Sequence, residues 1–383
     1  MLLNRSIQYR IYLDANQEEL IQKTFGCVRF IWNQELSDEQ EFYAATGKHF
    51  IPTPACYKKE YEFLKEVDSL ALANVQLNLK RAFQEFFKGS KKHGHPNYKS
   101  KKKSKKSYTT NCIYGKGQPT IRLEKNAIRL PKIGVIRANL HRLPVSGWKL
   151  KSATVSQTKS GKYYCSVLFE FEVETPVEIL PDDKNTIGLD YSSPKFYVDN
   201  NGHSPDKERW LRKAEEKLAH EQRLLSNMQY GSKNYQKQVR KIARIHEHIA
   251  NQRKDFAHKE SRRIANAYGA VCVEDLDLHT LSQTLKLGKS TTDNGFGMFR
   301  SFLAYKFAEQ GKYLIKIDKW FPSSKNCCFC GKKNKDLKLD DREWICPHCG
   351  QLVPRDEGAA KNIKKEGLIQ FYKERKGLAK SAA

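Results

Sequence analysis

Four cysteines form two Cys-x-x-Cys pairs, Cys327/Cys330 and Cys346/Cys349, with fifteen residues between the pairs. Two such pairs at this distance can set four thiolates tetrahedrally around one Zn²⁺ ion. Gly331 and Gly350 directly follow the pairs and supply the backbone freedom that a knuckle turn needs. All four ligand positions are filled by protein, so the expected ion is structural. Cys328 is out of phase with the spacing, and His348 is a poor fifth candidate. The other five cysteines, Cys27, Cys56, Cys112, Cys165 and Cys272, are scattered, and core packing is their default role.

A second group is more spread out. Asp190 and Glu274 each end a short apolar run, Asn185–Asp190 and Ala270–Glu274, that reads as a buried strand. Asp356 opens a helical stretch after the second cysteine pair. Strand ends of a central sheet are where α/β folds gather chemistry. Three carboxylates there can hold two Mg²⁺ ions, because Mg²⁺ is hard and takes oxygen ligands. Such an ion pair stabilises both the attacking and the leaving oxygen in phosphodiester hydrolysis. With 43 acidic residues in the chain, Asp183, Asp275 and Asp277 are competing candidates.

The elements that must position these groups fall into two grammars along 383 residues. Residues 2–13 read as a strand, and a helix starts at Asp14. Residues 54–65 and 68–87 read as further helices, the second with an apolar series from Leu70 to Phe87 that reads as core. From 108 to 173, short alternating runs separated by turns predict a small antiparallel barrel or sandwich. Residues 176–184 read as a linker. Beyond it come the strand ending at Asp190, a hairpin partner at Lys195–Asp199, two charge-laced helices over 206–267, and the strand ending at Glu274. A helix over Asn294–Gln310 and a third strand over Lys312–Asp318 follow.

Charge names the partner class. Lys and Arg number 69 against 43 acidic residues, a net charge of +26. An excess of this size implies a polyanion, most often nucleic acid. Residues 88–106 hold nine lysines and no acid. Lys91, Lys92, Lys99, Lys101, Lys102 and Lys103, with Tyr98 among them, are candidate phosphate and base contacts. No run of about 18 apolar residues and no signal-peptide pattern are present, which predicts a soluble intracellular protein with reduced thiols.

Several stretches together resemble the TnpB family of insertion-sequence proteins (OrfB), compact relatives of the Cas12 effectors with a RuvC-type nuclease. They are Gly26–Asn33, Gly94–Lys101, Gly188-Leu-Asp190-Tyr, Val273-Glu274-Asp-Leu, Asp293–Arg300, Lys319-Trp-Phe-Pro-Ser-Ser-Lys, the two knuckles, and Arg355-Asp356 through Ala359-Ala360-Lys-Asn-Ile363. The resemblance covers nearly the whole chain. It implies a transposon-encoded RNA-guided DNA endonuclease, in which a guide RNA from the transposon end pairs with double-stranded target DNA beside a short adjacent motif. It assigns Asp190, Glu274 and Asp356 as the magnesium-binding catalytic triad. Thr110, Asn111, Ser69 and Gln76 become candidates for reading the adjacent motif. The family usually has Asp and Asn where this chain has Pro354 and Gly358.

The expected architecture is multidomain α+β and α/β. Residues 1–178 form a β-barrel wedge domain with a helical recognition insert at about 15–90. Residues 179–383 form an RNase H-like RuvC domain with a helical insert at about 204–267 and a zinc knuckle at about 322–352. The resemblance implies a monomer on one RNA in a prokaryotic cytoplasm, associated with the nucleoid. The rivals are an RNA-guided repressor that binds without cutting, and a transposase using Tyr191 as nucleophile, a ring for which packing is the plainer role.

Overall fold

The computed structural model describes residues 1–89, 94–115, 117–277, 295–338 and 340–381. Lys91, Lys92, Asp293 and Asn294 lie outside the described residues. The chain divides into two compact units, Met1–Glu174 and Thr175–Ala383.

The N-terminal unit is one seven-stranded antiparallel sheet. Its strands are β1 (Leu2–Tyr12), β2 (Ser107–Asn111), β3 (Arg122–Glu124), β4 (Ala127–Leu130), β5 (Gly134–Asn139), β6 (Lys149–Gln157) and β7 (Tyr163–Glu172). Their order is β2-β6-β7-β1-β5-β4-β3. It is a single sheet rather than two facing ones. Just beyond its two outermost strands, Thr120 N donates to Ile113 O at 3.2 Å. Strict alternation along β7 turns Tyr163, Cys165, Val167, Phe169 and Phe171 inward.

Helix α1 (Ala15–Thr46) starts from a capping box: Gln17 N donates to Asp14 Oδ1 at 2.8 Å, and the Gln17 side chain returns to Asp14 N. Its first half buries Ile21 and Phe25 against the sheet. Its second half buries Ile31, Trp32 and Leu36 against Leu72, Val75, Leu79 and Phe83 of helix α2 (Ser69–Phe87). Two expectations fail here. Residues 54–65 form only two 3₁₀ turns, Cys56–Lys58 and Glu62–Lys65. Only Tyr57 and Leu64 are buried within those turns, too little to offset helix nucleation. Leu77 and Phe87 of the expected apolar core are about half exposed, because 3.6 residues per turn carry them off the buried face.

Glu35 on α1 is fully buried, and among the described residues neither carboxylate oxygen has a hydrogen-bond partner. Burial pushes its pKa up to about 8, with Lys80 opposing and Asp38 adding to the rise. A folded pKa above the unfolded one gives stability that is full below the ordinary carboxylate range and is lost as pH rises through about 8. Glu35→Gln is therefore expected to raise the melting temperature at pH 8.5 by several degrees and to change it little at pH 5. Equal shifts at both pH values, measured by calorimetry, would exclude an ionising Glu35.

The C-terminal unit is built on a four-stranded sheet: β8 (Thr186–Ser192), β9 (Phe196–Asp199), β10 (Ala270–Glu274) and β11 (Tyr313–Ile317), ordered β11-β10-β8-β9. β10 runs parallel to β8 and β11, while β9 closes a hairpin on β8. Helix α3 (Trp210–Ser226) and helix α4 (Lys233–Ala267) pack on each other through Trp210, Leu218 and Ile249. α4 and helix α5 (Phe296–Ala308) cover one sheet face with Ala257, Ile264, Phe299 and Leu303. Helix α6 (Arg355–Ser381) covers the other, where Ile363 meets Cys272 and Ile315. Both faces are covered, which is why these strands read as continuous apolar runs. A two-stranded ribbon, β12 (Glu343–Ile345) and β13 (Leu352–Pro354), carries the cysteine region into α6. Among the described residues no helix is long and apolar enough to cross a membrane.

Candidate active site and metal centre

Side chains alternate along β8: Ile187 and Leu189 point to the α4/α5 core, so Gly188 and Asp190 point to α6. The same holds on β10, where Val271 and Val273 enter that core and Cys272 and Glu274 face α6. The parallel register pairs Val273 with Leu189, so the next step sets Glu274 level with Asp190 on one face, one strand spacing apart. Asp190 does not end its strand, as the sequence suggested. β8 runs on to Ser192, and Asp190 sits opposite Val198 of β9.

Asp356 occupies the first turn of α6, and α6 is brought down onto the sheet by missing side chains. A Cβ on Gly188 would lie 2.2 Å from Ala360 O, and one on Gly367 would lie 2.4 Å from Cys272 Sγ. Burial, then the charges of Glu274 and Asp356, push the pKa of Asp190 well above the usual carboxylate range, against an opposing Arg355. Glu274 and Asp356 thus both oppose negative charge on Asp190, an imbalance that a bound cation would relieve. Burial also raises Glu274, whose Oε1 accepts from Ser323 Oγ at 2.5 Å. Asn362 of α6 anchors the same loop, donating to Ser323 O at 2.8 Å and Asn326 O at 2.7 Å. The donors are all hard oxygens, which suits Mg²⁺.

The competing carboxylates are engaged elsewhere. Asp183 pairs with Lys364 at the surface, and Asp275 with Arg300 and Lys316. The exposed Asp277 ends a described segment. The Tyr191 ring packs 4.9 Å from Phe296. Gly188→Ala is expected to push α6 off the sheet at Asp356's end, costing about 1–3 kcal/mol. Any turnover at the carboxylate site should fall more than tenfold while the N-terminal unit melts unchanged. Wild-type turnover in the alanine variant would show that α6 tolerates the shift.

Sulfur atoms of Cys327, Cys330, Cys346 and Cys349 all lie within 4.8 Å of one another. Cys327 to Cys349 is 3.6 Å and Cys330 to Cys346 is 3.7 Å. Tetrahedral Zn–S bonds of about 2.3 Å demand sulfur separations of about 3.8 Å, so the four fit zinc. Each knuckle closes with a glycine N–H on a cysteine carbonyl, Gly331 to Cys327 O and Gly350 to Cys346 O. Both glycines have positive φ, 75° and 70°. Among the described residues no other three metal-ligating groups come within that distance, and two ions about 4 Å apart need a wider set. Gly358 has a local reason: a Cβ there would lie 2.8 Å from Val353 Cγ1 and 3.6 Å from Cys328 Sγ.

The candidate nucleic-acid contacts divide. Thr110 is buried and gives its hydroxyl to Asp68, which removes it from any interface. Gln76 spends its amide on the carbonyls of Ile51 and Pro52, pinning a loop. Ser69 is exposed and accepts from Lys58 Nζ, and Asn111 is half-buried at the end of β2. Lys101, Lys102 and Lys103 are exposed, as is Tyr98, whose hydroxyl donates to Gln40 Oε1. Lys99 stands 3.4 Å over the Trp32 ring, and burial lowers its pKa to about 8.

Two stretches singled out separately in the sequence meet here. Trp32 Nε1 donates to Asn97 O, and the Asn33 side chain brackets Lys99 with bonds of 2.9 and 2.7 Å. Beside them is a cleft of about 320 Å³ whose walls include Arg29, Asn74, Asn78, Lys105 and Lys106. Arg29 escaped sequence reasoning as an individual inside the marked stretch Gly26–Asn33, and Asn74 and Asn78 because polar residues on an amphipathic helix look like solvated surface. Ser323 and Asn362 escaped it as individuals, although both lie inside stretches already marked.

Three family models match the chain: OrfB_IS605, described as "Probable transposase", over residues 168–285; the Cas12f1-like TNB domain over 296–363; and an OrfB_IS605 helix-turn-helix domain over 1–48. The last stretch folds here as β1 and α1. A Streptomyces pristinaespiralis protein named "Putative RNA-guided DNA endonuclease" is 35% identical over 96% of this chain and 90% of its own length. InsQ of Escherichia coli K12, which bears the same description, is 29% identical over 95% of this chain and 92% of its own. A Cas12f1 chain solved by cryo-EM with sgRNA and target DNA superposes with a TM-score of 0.62 over 95% of this chain and 99% of that one. At 13% identity that likeness is one of fold.

Proposed function

The chain belongs to the TnpB (OrfB) family of insertion-sequence proteins, and from that premise we propose that it is a magnesium-dependent, RNA-guided DNA endonuclease. The observation that supports the proposal most is the β8/β10 register: Val273 pairs with Leu189, and Glu274 and Asp190 are the next residue on each strand, while Asp356 in the first turn of α6 acts on Asp190 by charge. Asp190, Glu274 and Asp356 would hold two Mg²⁺ ions, which supply an activated water and stabilise the leaving 3′-oxygen of a DNA strand. Ser323 keeps Glu274 aimed at that centre, and Asn362 keeps Ser323 in place. The four cysteines would hold one structural Zn²⁺ ion.

Sequence reading is delegated to a guide RNA paired with the target, which leaves the protein to grip backbones. The net charge of +26 and the exposed lysines 101–103 suit that task. The test is to purify the protein with the RNA it retains in cells, sequence that RNA, and add a plasmid bearing the matched target. Mg²⁺-dependent linearisation, lost in EDTA, is expected. A complex that binds the matched plasmid and leaves it intact at every Mg²⁺ concentration would be a guided repressor instead.

A further inference from the structure

Trp320 is 81% exposed. Tryptophan is usually well buried, and an indole left open to water is unfavourable unless a partner covers it. Its loop is held firmly. Trp320 N donates to Asp318 Oδ1 at 2.6 Å, Phe321 N to Asp318 O at 3.1 Å, and Ser323 N to Phe321 O at 2.8 Å. The neighbouring Phe321 packs into the core beneath α6. The open ring is therefore built into the surface and is not a frayed side chain.

Its place is set by the carboxylate cluster. Ile317, three residues before Trp320, is the register partner of Glu274. Ser323, three residues after it, hydrogen-bonds the Glu274 carboxylate. Three extended residues span about 10 Å at most, so the chain on both sides holds Trp320 near the carboxylate site. Lys319 Nζ lies 5.0 Å from the ring centroid, a cation beside an aromatic face.

We propose that Trp320 and Lys319 form a stacking platform for one unpaired nucleotide of the DNA strand entering the carboxylate site. The indole face takes the base and the ammonium takes its phosphate. Bases in a duplex are already stacked on both sides, so the platform selects a strand that has been unwound. Trp320 is a positioning residue, since it touches the substrate away from the scissile phosphate. The proposal rests on the nuclease reading above for its choice of DNA.

The test uses the RNA-loaded protein carrying Asp190→Asn, so binding is read without cutting. Its ligand is a fluorescein-labelled single-stranded oligothymidylate of ten nucleotides. Adding Trp320→Ala is expected to weaken binding about tenfold or more, while Trp320→Phe, which keeps a stacking face, restores most of it. In protein with Asp190 intact, Trp320→Ala should raise KM for an unwound target with kcat little changed. Equal binding by the alanine variant, the phenylalanine variant and the Asp190→Asn parent overturns the platform. A wild-type complex that never cuts, yet whose oligonucleotide binding falls on Trp320→Ala, keeps the platform and sinks the nuclease reading.

Discussion

Replacing Asp190 with alanine is expected to abolish target cleavage while leaving RNA retention and target binding intact. The charges of both Glu274 and Asp356 act on Asp190, so losing its carboxylate would disturb the proposed Mg²⁺ site most. An ion pair contributes several kcal/mol to stabilising the transition state, and about 4 kcal/mol is a factor of about a thousand in rate. A loss of a thousandfold or more is expected, measured as plasmid linearisation at saturating Mg²⁺. Folding should not suffer. The change removes a buried carboxyl whose ionisation is opposed by burial and by two neighbouring carboxylates. The metal-free melting temperature of the variant should equal or exceed the wild-type value near neutral pH. Residual cleavage within tenfold of wild type would move the chemistry to another site.

Breaking the proposed zinc site by Cys346→Ser is expected to destroy cleavage although no carboxylate is changed. The knuckle has a small core of its own, chiefly Leu337, Trp344 and Val353 beside the cysteines. So little apolar burial does not hold a fold alone, and structural zinc supplies about 10–16 kcal/mol of apparent binding energy in zinc-finger peptides. Only six residues separate Cys349 from Asp356, and β13 occupies three of them. Losing the knuckle therefore releases the first turn of α6. One zinc per chain by elemental analysis is expected, with cleavage and zinc content falling together. The N-terminal unit, which has its own core, should melt as before. Full cleavage by zinc-free protein would make the knuckle a bystander.

How much of this was legible in the sequence depended on how local the cause was. The cysteine spacing names its own chemistry, because four thiols two and fifteen residues apart have few other uses. The capping box at Asp14 is equally local. Asp190 and Glu274 were legible as carboxylates closing apolar runs, although β8 runs on past Asp190, and they stood among several candidates. The resemblance of the surrounding stretches, and not their spacing, singled them out. Asp183 and Asp275 fall away only once their partners Lys364, Arg300 and Lys316 are seen. Thr110 looked available in sequence because its partner, Asp68, lies 42 residues away. The helix expected at 54–65 failed for the same kind of reason, since periodicity says nothing about whether a core is there to meet it.

By itself the sequence determined the partner class, the paired thiols, the apolar strands and the set of acids from which the site is drawn. Composition, short spacings and hydrophobic runs are local properties, and they survive without coordinates. Tertiary structure decided which acids meet. A strand's two faces are equivalent until its neighbours pair with it, and the Val273–Leu189 register turns Glu274 and Asp190 to the same side. The close approach of α6 over Gly188 and Gly367 then brings Asp356 to them from more than 80 residues away along the chain. A sheet register and a helix contact are made between distant segments, so they have no signature within any one of those segments.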